Sequence, residues 1–490
     1  MLQHDMISDK CINPHLRYQI LSDNQIKFII NSTFEVLERT GSLVKHPEAV
    51  ELLKKAGCIV EGELVKVPQW LIENALKNTP SQVILSSRNG ERKLFLEGSN
   101  TYFGNGLANP FFVDIETGER RPVVKSDVFN TARLSDALPN IDFVMSLAGL
   151  TDCHPSVADV HEMHAMLQST TKPIAGWATG VESLSDIIDM CSVVAGGLDK
   201  LQSNPFLIVY AGNPVSPLIH PEDALAKLLF TAENGLPVIY ASGLQLGAVS
   251  PVTLAGTLVV GLAEQFVGLT IAQLKRPNTG YLASIGTLTL DMKTMNTAFG
   301  GPELPLSLAA AKDIFRYLNI PTWSIAGATD SKTVDQQSAI ESTVQIFMAL
   351  LSGGNLVHDI GFLEGAMSGA LEQIVMSDEI ISYVRKMVSG IEVNNETIGL
   401  DVINKLGPGG QYLTHEHTFK YFREQLWFPS LLDRLRYNDW VNQGKKTMLD
   451  RIREKTRTIL KDYRPEPLPQ KDIEAIDNIL EKACKRGVKY

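Results

Sequence analysis

The 490-residue chain is short of several things. It has five cysteines, Cys11, Cys58, Cys153, Cys191 and Cys484, an odd number, far apart and without a C-x-x-C. That spacing argues against a disulfide scaffold and for a reducing cytoplasm. Positive charge is not in excess: 45 Lys+Arg stand against 55 Asp+Glu, a net of −10, which argues against nucleic acid as a partner. A clean membrane-length apolar run is missing. The longest, 252–274, is interrupted by Glu264 and Gln265 and diluted by Thr and Gly, so it reads as a helix buried in protein, with no membrane partner expected. The opening MLQHDMISDK has no apolar signal core.

The composition that remains, 44% hydrophobic and 20% charged, supports a large core and excludes global disorder. The first hundred residues read as a small α+β unit. Helical periodicity covers 24–40, Pro47 opens a second helix, and Pro68 opens a third after a short strand at 64–67. Two strands, 83–87 and 93–97, flank Asn89-Gly90, a hairpin signal.

From residue 101 short apolar runs alternate with longer helical patterns. The runs are 101–106, 143–149, 173–178, 206–212, 237–242, 279–286, 322–327 and 355–360. Helical patterns start near Lys125, Ser156, Ser183, Pro221, Pro251, Pro302, Val334 and Gly365. The runs lack strict alternation, as expected of parallel strands covered on both faces. Eight successive βα units over about 290 residues predict an α/β fold, a (β/α)8 TIM barrel spanning 101–390. A doubly wound sheet is the alternative, but no G-x-G-x-x-G marks the first strand-to-helix turn. Beyond residue 390 the rhythm stops, and 391–490 reads as a helical extension with Pro465, Pro467 and Pro469 before a last helix.

Barrel sites lie at the C-terminal strand ends. Those ends carry Tyr102, Trp177, Tyr210, Tyr240, Trp323 and Phe362 with small polar groups and little unpaired charge. Such a lining suits an organic cation, held by cation–π contacts worth about 0.5–2 kcal/mol each. Packing of the same aromatics into the barrel core is the alternative. His358, beside Asp359 at the end of the eighth run, is either a satisfied core histidine or placed to react or to face a partner. Asp330 is placed to orient the site or to cap the next helix. His161 and His164, three apart on one helical face near Cys153 and His154, leave open a zinc site, although they lack the H-E-x-x-H spacing. His415 and His417 lie in a loop after Gly407-Pro-Gly-Gly410.

Several stretches resemble the trimethylamine methyltransferase superfamily, in particular its members without pyrrolysine. They are Ala298-Phe-Gly-Gly-Pro-Glu303, Ala326-Gly-Ala-Thr-Asp-Ser-Lys332 with Asp335-Gln-Gln337, Asn355-Leu-Val-His-Asp-Ile-Gly-Phe-Leu-Glu-Gly365, and Gly409-Gly-Gln-Tyr-Leu-Thr-His-Glu-His-Thr418 with Trp427. The resemblance runs from about Leu21 to Ile459. It implies a barrel that moves a methyl group from an amine to the cobalt of a corrinoid (cobalamin) carried by a separate protein, with no tightly bound metal of its own. Trimethylamine enzymes of this family carry pyrrolysine near the end of the seventh strand, where 329–335 here holds only ordinary residues. That departure implies a quaternary amine such as glycine betaine, carnitine, γ-butyrobetaine or proline betaine.

The chemistry agrees. Co(I) attacking a methyl carbon of a quaternary ammonium expels a neutral amine without further activation, so the protein's task is positioning and desolvation. On this reading His358 and Asp330 are catalytic. Tyr102, Trp177, Tyr240, Trp323 and Phe362 hold the cation, and Asn105, Asn213, Lys332 and Gln336 hold the carboxylate. The nearest string to the cobalamin motif D-x-H-x-x-G is Asp152-Cys-His154-Pro-Ser-Val157, which lacks the glycine. The expected partners are therefore a cognate corrinoid protein and a second copy of the chain as a homo-oligomer. A zinc-dependent barrel enzyme and a non-catalytic betaine-binding protein remain the other two readings. The charge is uneven: 441–490 carries 13 Lys+Arg against 8 Asp+Glu, leaving an acidic body and a basic tail.

Overall fold

The computed structural model describes residues 17–487, so Cys11 and the N-terminal segment read for a signal core lie outside the described residues. Seven parallel strands follow in order: β1 (Tyr102–Asn105), β2 (Ile174–Trp177), β3 (Leu207–Gly212), β4 (Val238–Gln245), β5 (Tyr281–Leu290), β6 (Trp323–Ile325) and β7 (Leu356–Ile360). β2 to β5 pair side by side with the short strand Thr297–Ala298 at their edge, and β6, β7 and β1 form a second sheet. Single parallel bridges join the ends: Gly104 to Phe143, Val144 to Ile174, and Ala283 to Thr322. The second apolar run, 143–149, thus contributes only a bridge pair instead of a full strand, and it lies between β1 and β2.

Eight helices answer the eight runs: α1 (Lys125–Ala137), α2 (Ala158–Ser169), α3 (Val181–Ala195), α4 (Glu222–Glu233), α5 (Leu254–Lys275), α6 (Glu303–Tyr317), α7 (Gln336–Ser352) and α8 (Leu371–Val388). Their starts follow local chemistry. Asp335 accepts a hydrogen bond from the Ser338 N–H at the start of α7, and Ser338 returns one to the Asp335 backbone. At the other end Gly353 adopts φ +79°, the left-handed stop that glycine takes without cost.

Successive strand residues point to opposite sides. One set, including Tyr102, Phe143, Ala175, Ile208, Ile239, Leu282, Trp323 and Leu356, forms a single interior cluster. The alternate set joins the helices in two outer layers. The predicted hairpin pairs Val83–Ser86 with Lys93–Leu96, and its Val83, Leu85, Leu94 and Leu96 insert into the interior cluster. It covers the end where the strands begin, while Trp177, Tyr210 and His358, toward the other end, keep partial exposure and mark the open end.

The apolar helix α5 is buried on nearly every side. It lies between β4 and β5 on one side and the N-terminal helices Asp23–Arg39, Pro47–Lys55 and Gln69–Asn78 on the other. That double cover explains a run long and apolar enough to be read as a membrane span. The N-terminal sheet also takes in a short strand from the segment after β3: Ser42–Val44 pairs in parallel with Ile219–His220. After α8 the helices Asn395–Ile398, Leu400–Leu406, Glu416–Gln425 and Tyr437–Asn442 bury none of their residues. Phe428, beside them, is exposed. The last two helices dock: Met448–Asp462 lies on α8 and α1, and Gln470–Gly487 on α2 and α3.

Candidate active site

At the open end the interior aromatics are arranged about Trp323. Its indole stacks on the His358 imidazole with centroids 4.1 Å apart and planes 13° from parallel. Phe143 and Tyr210 tilt against it at 5.8 and 6.2 Å. Trp323 is 2% exposed and so belongs to the packed interior, as the support of His358 and not a free cage wall. Tyr210 lies above it, half-buried, and its hydroxyl donates to Oδ1 of the exposed Asn213. Burial raises the Tyr210 phenol well above its usual range, and the nearby Asp359 carboxylate adds to the effect.

Two strands lose register here. The β3–β4 pairing shifts between Tyr210 and Gly212, and the β7–β1 pairing shifts between Val357 and Ile360. Bulges of this kind re-aim side chains at barrel rims. At the second, Asp359 adopts φ +82° and its carboxylate lies 2.5 Å from Nδ1 of His358.

Trp177 ends β2, half-buried, and its indole N–H donates to Oε2 of Glu162 on α2 at 2.7 Å. Burial pushes the Glu162 carboxyl up to about 8, against the opposing pull of its hydrogen bonds. It is therefore largely protonated and neutral at pH 7. The Trp177 ring is held by an uncharged partner, which adds no buried anion beside a bound cation.

The loop after β6 is stapled to its neighbours. Asp330 accepts the backbone N–H of Phe299 and Gly300 at 2.8 Å each, so both carboxylate oxygens are occupied. Glu341 on α7 accepts the Asp330 N–H and the Thr329 hydroxyl. Asp330 therefore tethers the Phe299-Gly300 turn, while the cap of α7 is Asp335. Lys332 is exposed and its ammonium donates to the Asp330 carbonyl, and Gln336 is exposed in the first turn of α7. Phe362 is buried with its ring over Gly106, where a Cβ would stand 2.2 Å from it. A glycine is required at that contact.

Three expected site residues point elsewhere. Tyr102 begins β1, and its hydroxyl accepts the Phe95 N–H of the plugging hairpin, at the closed end. Asn105 is the alternate residue of β1: it accepts the Ser135 hydroxyl of α1 and donates to the Ile360 carbonyl. Tyr240 faces α5, where its ring fills the notch at Gly268 and its hydroxyl bonds Nδ1 of His220 at 2.9 Å. Strand alternation sends Asn105 and Tyr240 outward, and the hairpin closes off Tyr102.

The zinc reading finds no support in the described residues, which contain no group of three or more His, Cys, Asp or Glu placed to hold a metal. His164 bonds Asp477 at 2.6 Å, and His161 lies between Lys125 and Cys484, both facing the last helix. His154 bonds its own Ser156 and caps that turn. His415 and His417 line an open hollow with Glu396 and Lys420 in the C-terminal extension, in elements that bury none of their residues.

Sequence reasoning passed over Glu162 and Phe143, and it noted Asp359 only as a neighbour of His358. Glu162 is a charged residue between two histidines on a helix, a pattern that reads as solvated until β2 is set against it. Asp359 carries a weak signal, an acidic residue before Gly361 at a strand end.

The family profile described as trimethylamine methyltransferase matches residues 3–487. A trimethylamine methyltransferase of Desulfitobacterium hafniense (strain DSM 10664 / DCB-2) is 34% identical over 465 residues, 94% of this chain and 93% of that protein. A glycine betaine methyltransferase of Desulfitobacterium hafniense (strain Y51) is 31% identical, covering 92% and 94%. The crystal structure of the Methanosarcina barkeri monomethylamine methyltransferase aligns with a TM-score of 0.53 over 97% of this chain and 90% of that one, at 11% identity, a likeness of fold. The α/β architecture and these matches agree: the chain is a methyltransferase and belongs to the trimethylamine methyltransferase family.

Proposed function

We propose that the protein transfers a methyl group from a quaternary amine, glycine betaine or a related betaine, to Co(I) of a separate corrinoid protein. The observation that carries the reading is the open end of the strand ring. There Tyr210, the cross-strand partner of Trp177, bonds Asn213 and tilts against the Trp323 that carries His358, and the Trp177 indole is anchored by a largely neutral Glu162. Aromatic faces hold a quaternary nitrogen by attraction to its charge, and neutral rings resist its loss of charge less than a carboxylate in direct contact would. The stretch 329–335 holds ordinary residues only, which favours a substrate that needs no activation at nitrogen. In this reading Lys332 and Gln336 at the rim serve the carboxylate, while Phe362, over Gly106, packs in the helix-side layer and supports the strand end from behind.

We further infer that the two sheets and their bridges form one (β/α)8 barrel over 101–390, capped by 1–100 and extended by 391–490, in a cytoplasmic homo-oligomer. The bridges at Phe143, Val144 and Thr322 support closure. The exposed apolar side chains Ile391, Leu413, Phe419 and Phe428 in helices and loops with almost no core of their own support a second copy.

The test is a panel of betaines and methylamines incubated with a corrinoid protein reduced to Co(I), followed by the absorbance change to methyl-Co(III). A response to at least one betaine and none to trimethylamine is expected. No response to any quaternary amine overturns the reading.

A further inference from the structure

Asp359 is held in a conformation that an aspartate rarely adopts. Its φ of +82° lies in the left-handed region, and it is 3% exposed at the register break between β7 and β1. Positive φ on a buried non-glycine residue is strained and persists where the surroundings over-determine it, most often at functional sites. What the bulge achieves is geometric. Consecutive strand residues point to opposite sides, yet Asp359 and His358 meet, with carboxylate and Nδ1 2.5 Å apart. The approach is close but poorly aligned as a hydrogen bond, a common state of catalytic contacts before substrate binds. The His358 ring is fixed from the other side by its stack on Trp323. Its Nε2 has no protein partner among the described residues, and the side chain keeps 13% exposure at the open end.

We propose that Asp359 is a positioning residue that holds His358 with Nδ1–H toward the carboxylate and Nε2 toward the substrate, and that the His358 imidazolium protonates the amine as it leaves. The proposal rests on the quaternary-amine reading above. In the step, both electrons of the new Co–C bond come from Co(I), which becomes Co(III). The C–N bond breaks with its pair on nitrogen. The tertiary amine takes the Nε2 proton, and neutral His358 regains a proton from water. A free tertiary amine is a nucleophile that competes for the methyl group, and a protonated one is not. The carboxylate steadies the imidazolium and selects the ring nitrogen that faces the amine.

The experiment uses the full-length enzyme, glycine betaine (or the betaine found active in the panel) and a Co(I) corrinoid protein. Asp359→Gly removes the carboxylate and relieves the backbone. It is expected to lower kcat about tenfold or more, with KM for the betaine nearly unchanged, and to raise Tm by about 1–3 °C. Added formate is expected to restore part of the rate in Asp359→Gly by occupying the vacated position. Asp359→Asn, which keeps the volume and loses the charge, is expected to lose rate without the gain in Tm. An unchanged kcat in both variants overturns the proposal, as does a fall in rate accompanied by a lower Tm and no formate rescue in Asp359→Gly. A wild-type enzyme that uses no quaternary amine overturns the reading beneath it, and is recognised before any variant is made.

Discussion

The His358 imidazole lies flat on the Trp323 indole, 4.1 Å between centroids, toward the C-terminal ends of parallel strands whose other ends are covered by a hairpin. Trp323 is the first residue of β6 and His358 is the third of β7, and Ile325 pairs with His358 across the sheet. The stack fixes an imidazole that would otherwise sample several rotamers, and it places the ring above the packed interior.

His358→Ala therefore removes an imidazole that keeps 13% exposure and rests on a packed support. The expected outcome is a loss of about 10²-fold or more in the rate of methyl transfer to Co(I), with the thermal midpoint shifted by only a few degrees. Full activity in this variant rejects a chemical role for His358.

Trp177→Ala opens the aromatic wall. Loss of one cation–π contact is expected to raise KM for the betaine about 2- to 30-fold, the equivalent of roughly 0.5–2 kcal/mol. Tyr240→Phe is the control: its hydroxyl bonds only His220, behind the strands. It is expected to cost about 1 kcal/mol in stability and leave KM alone. Chemical denaturation and initial-rate kinetics on the two variants separate wall from scaffold, and the reverse pattern rejects the assignment.

Glu162 makes stability depend on pH in a defined sense. Its folded-state value, about 8, lies above the ordinary carboxylate value, so between roughly pH 4.5 and 8 the unfolded chain releases a proton that the folded chain keeps. Its contribution is therefore fully present below pH 4.5 and is lost as pH rises toward 8. Glu162→Gln is expected to flatten that decline, with a gain on the order of 1–3 kcal/mol near pH 8 relative to the wild type. Denaturation of both proteins from pH 5 to 9 checks it: parallel curves reject the assignment of a neutral Glu162.

Asp330→Ala tests a tether against a catalytic group. Two backbone donors, Phe299 N–H and Gly300 N–H, lose their acceptor. A stability loss of about 1–3 kcal/mol is expected. If Asp330 only tethers, kcat at saturating substrate falls far less than in His358→Ala. A comparable fall would return Asp330 to the chemistry.

The sequence by itself determined the order of elements. Eight apolar runs without alternation, each followed by a helical pattern, are what parallel strands buried on both faces must look like, and β1 to β7 and α1 to α8 lie within a few residues of the runs and starts that announce them. It also carried the family, because motifs such as Ala326-Gly-Ala-Thr-Asp-Ser-Lys332 are local strings that survive without any fold.

What only the tertiary structure decided is which way each side chain faces and what meets it there. Tyr240 and Tyr210 are both aromatic residues of neighbouring strands, but alternation sends Tyr240 to His220 and α5 while Tyr210 overlooks Trp323. Nothing in the spacing of Glu162 and Trp177 says that a helix face and a strand end will share a hydrogen bond. The bulge at Asp359 is the sharpest case. A register shift is a property of two paired strands, so one strand's sequence cannot specify it, and it is that shift that brings the carboxylate to His358.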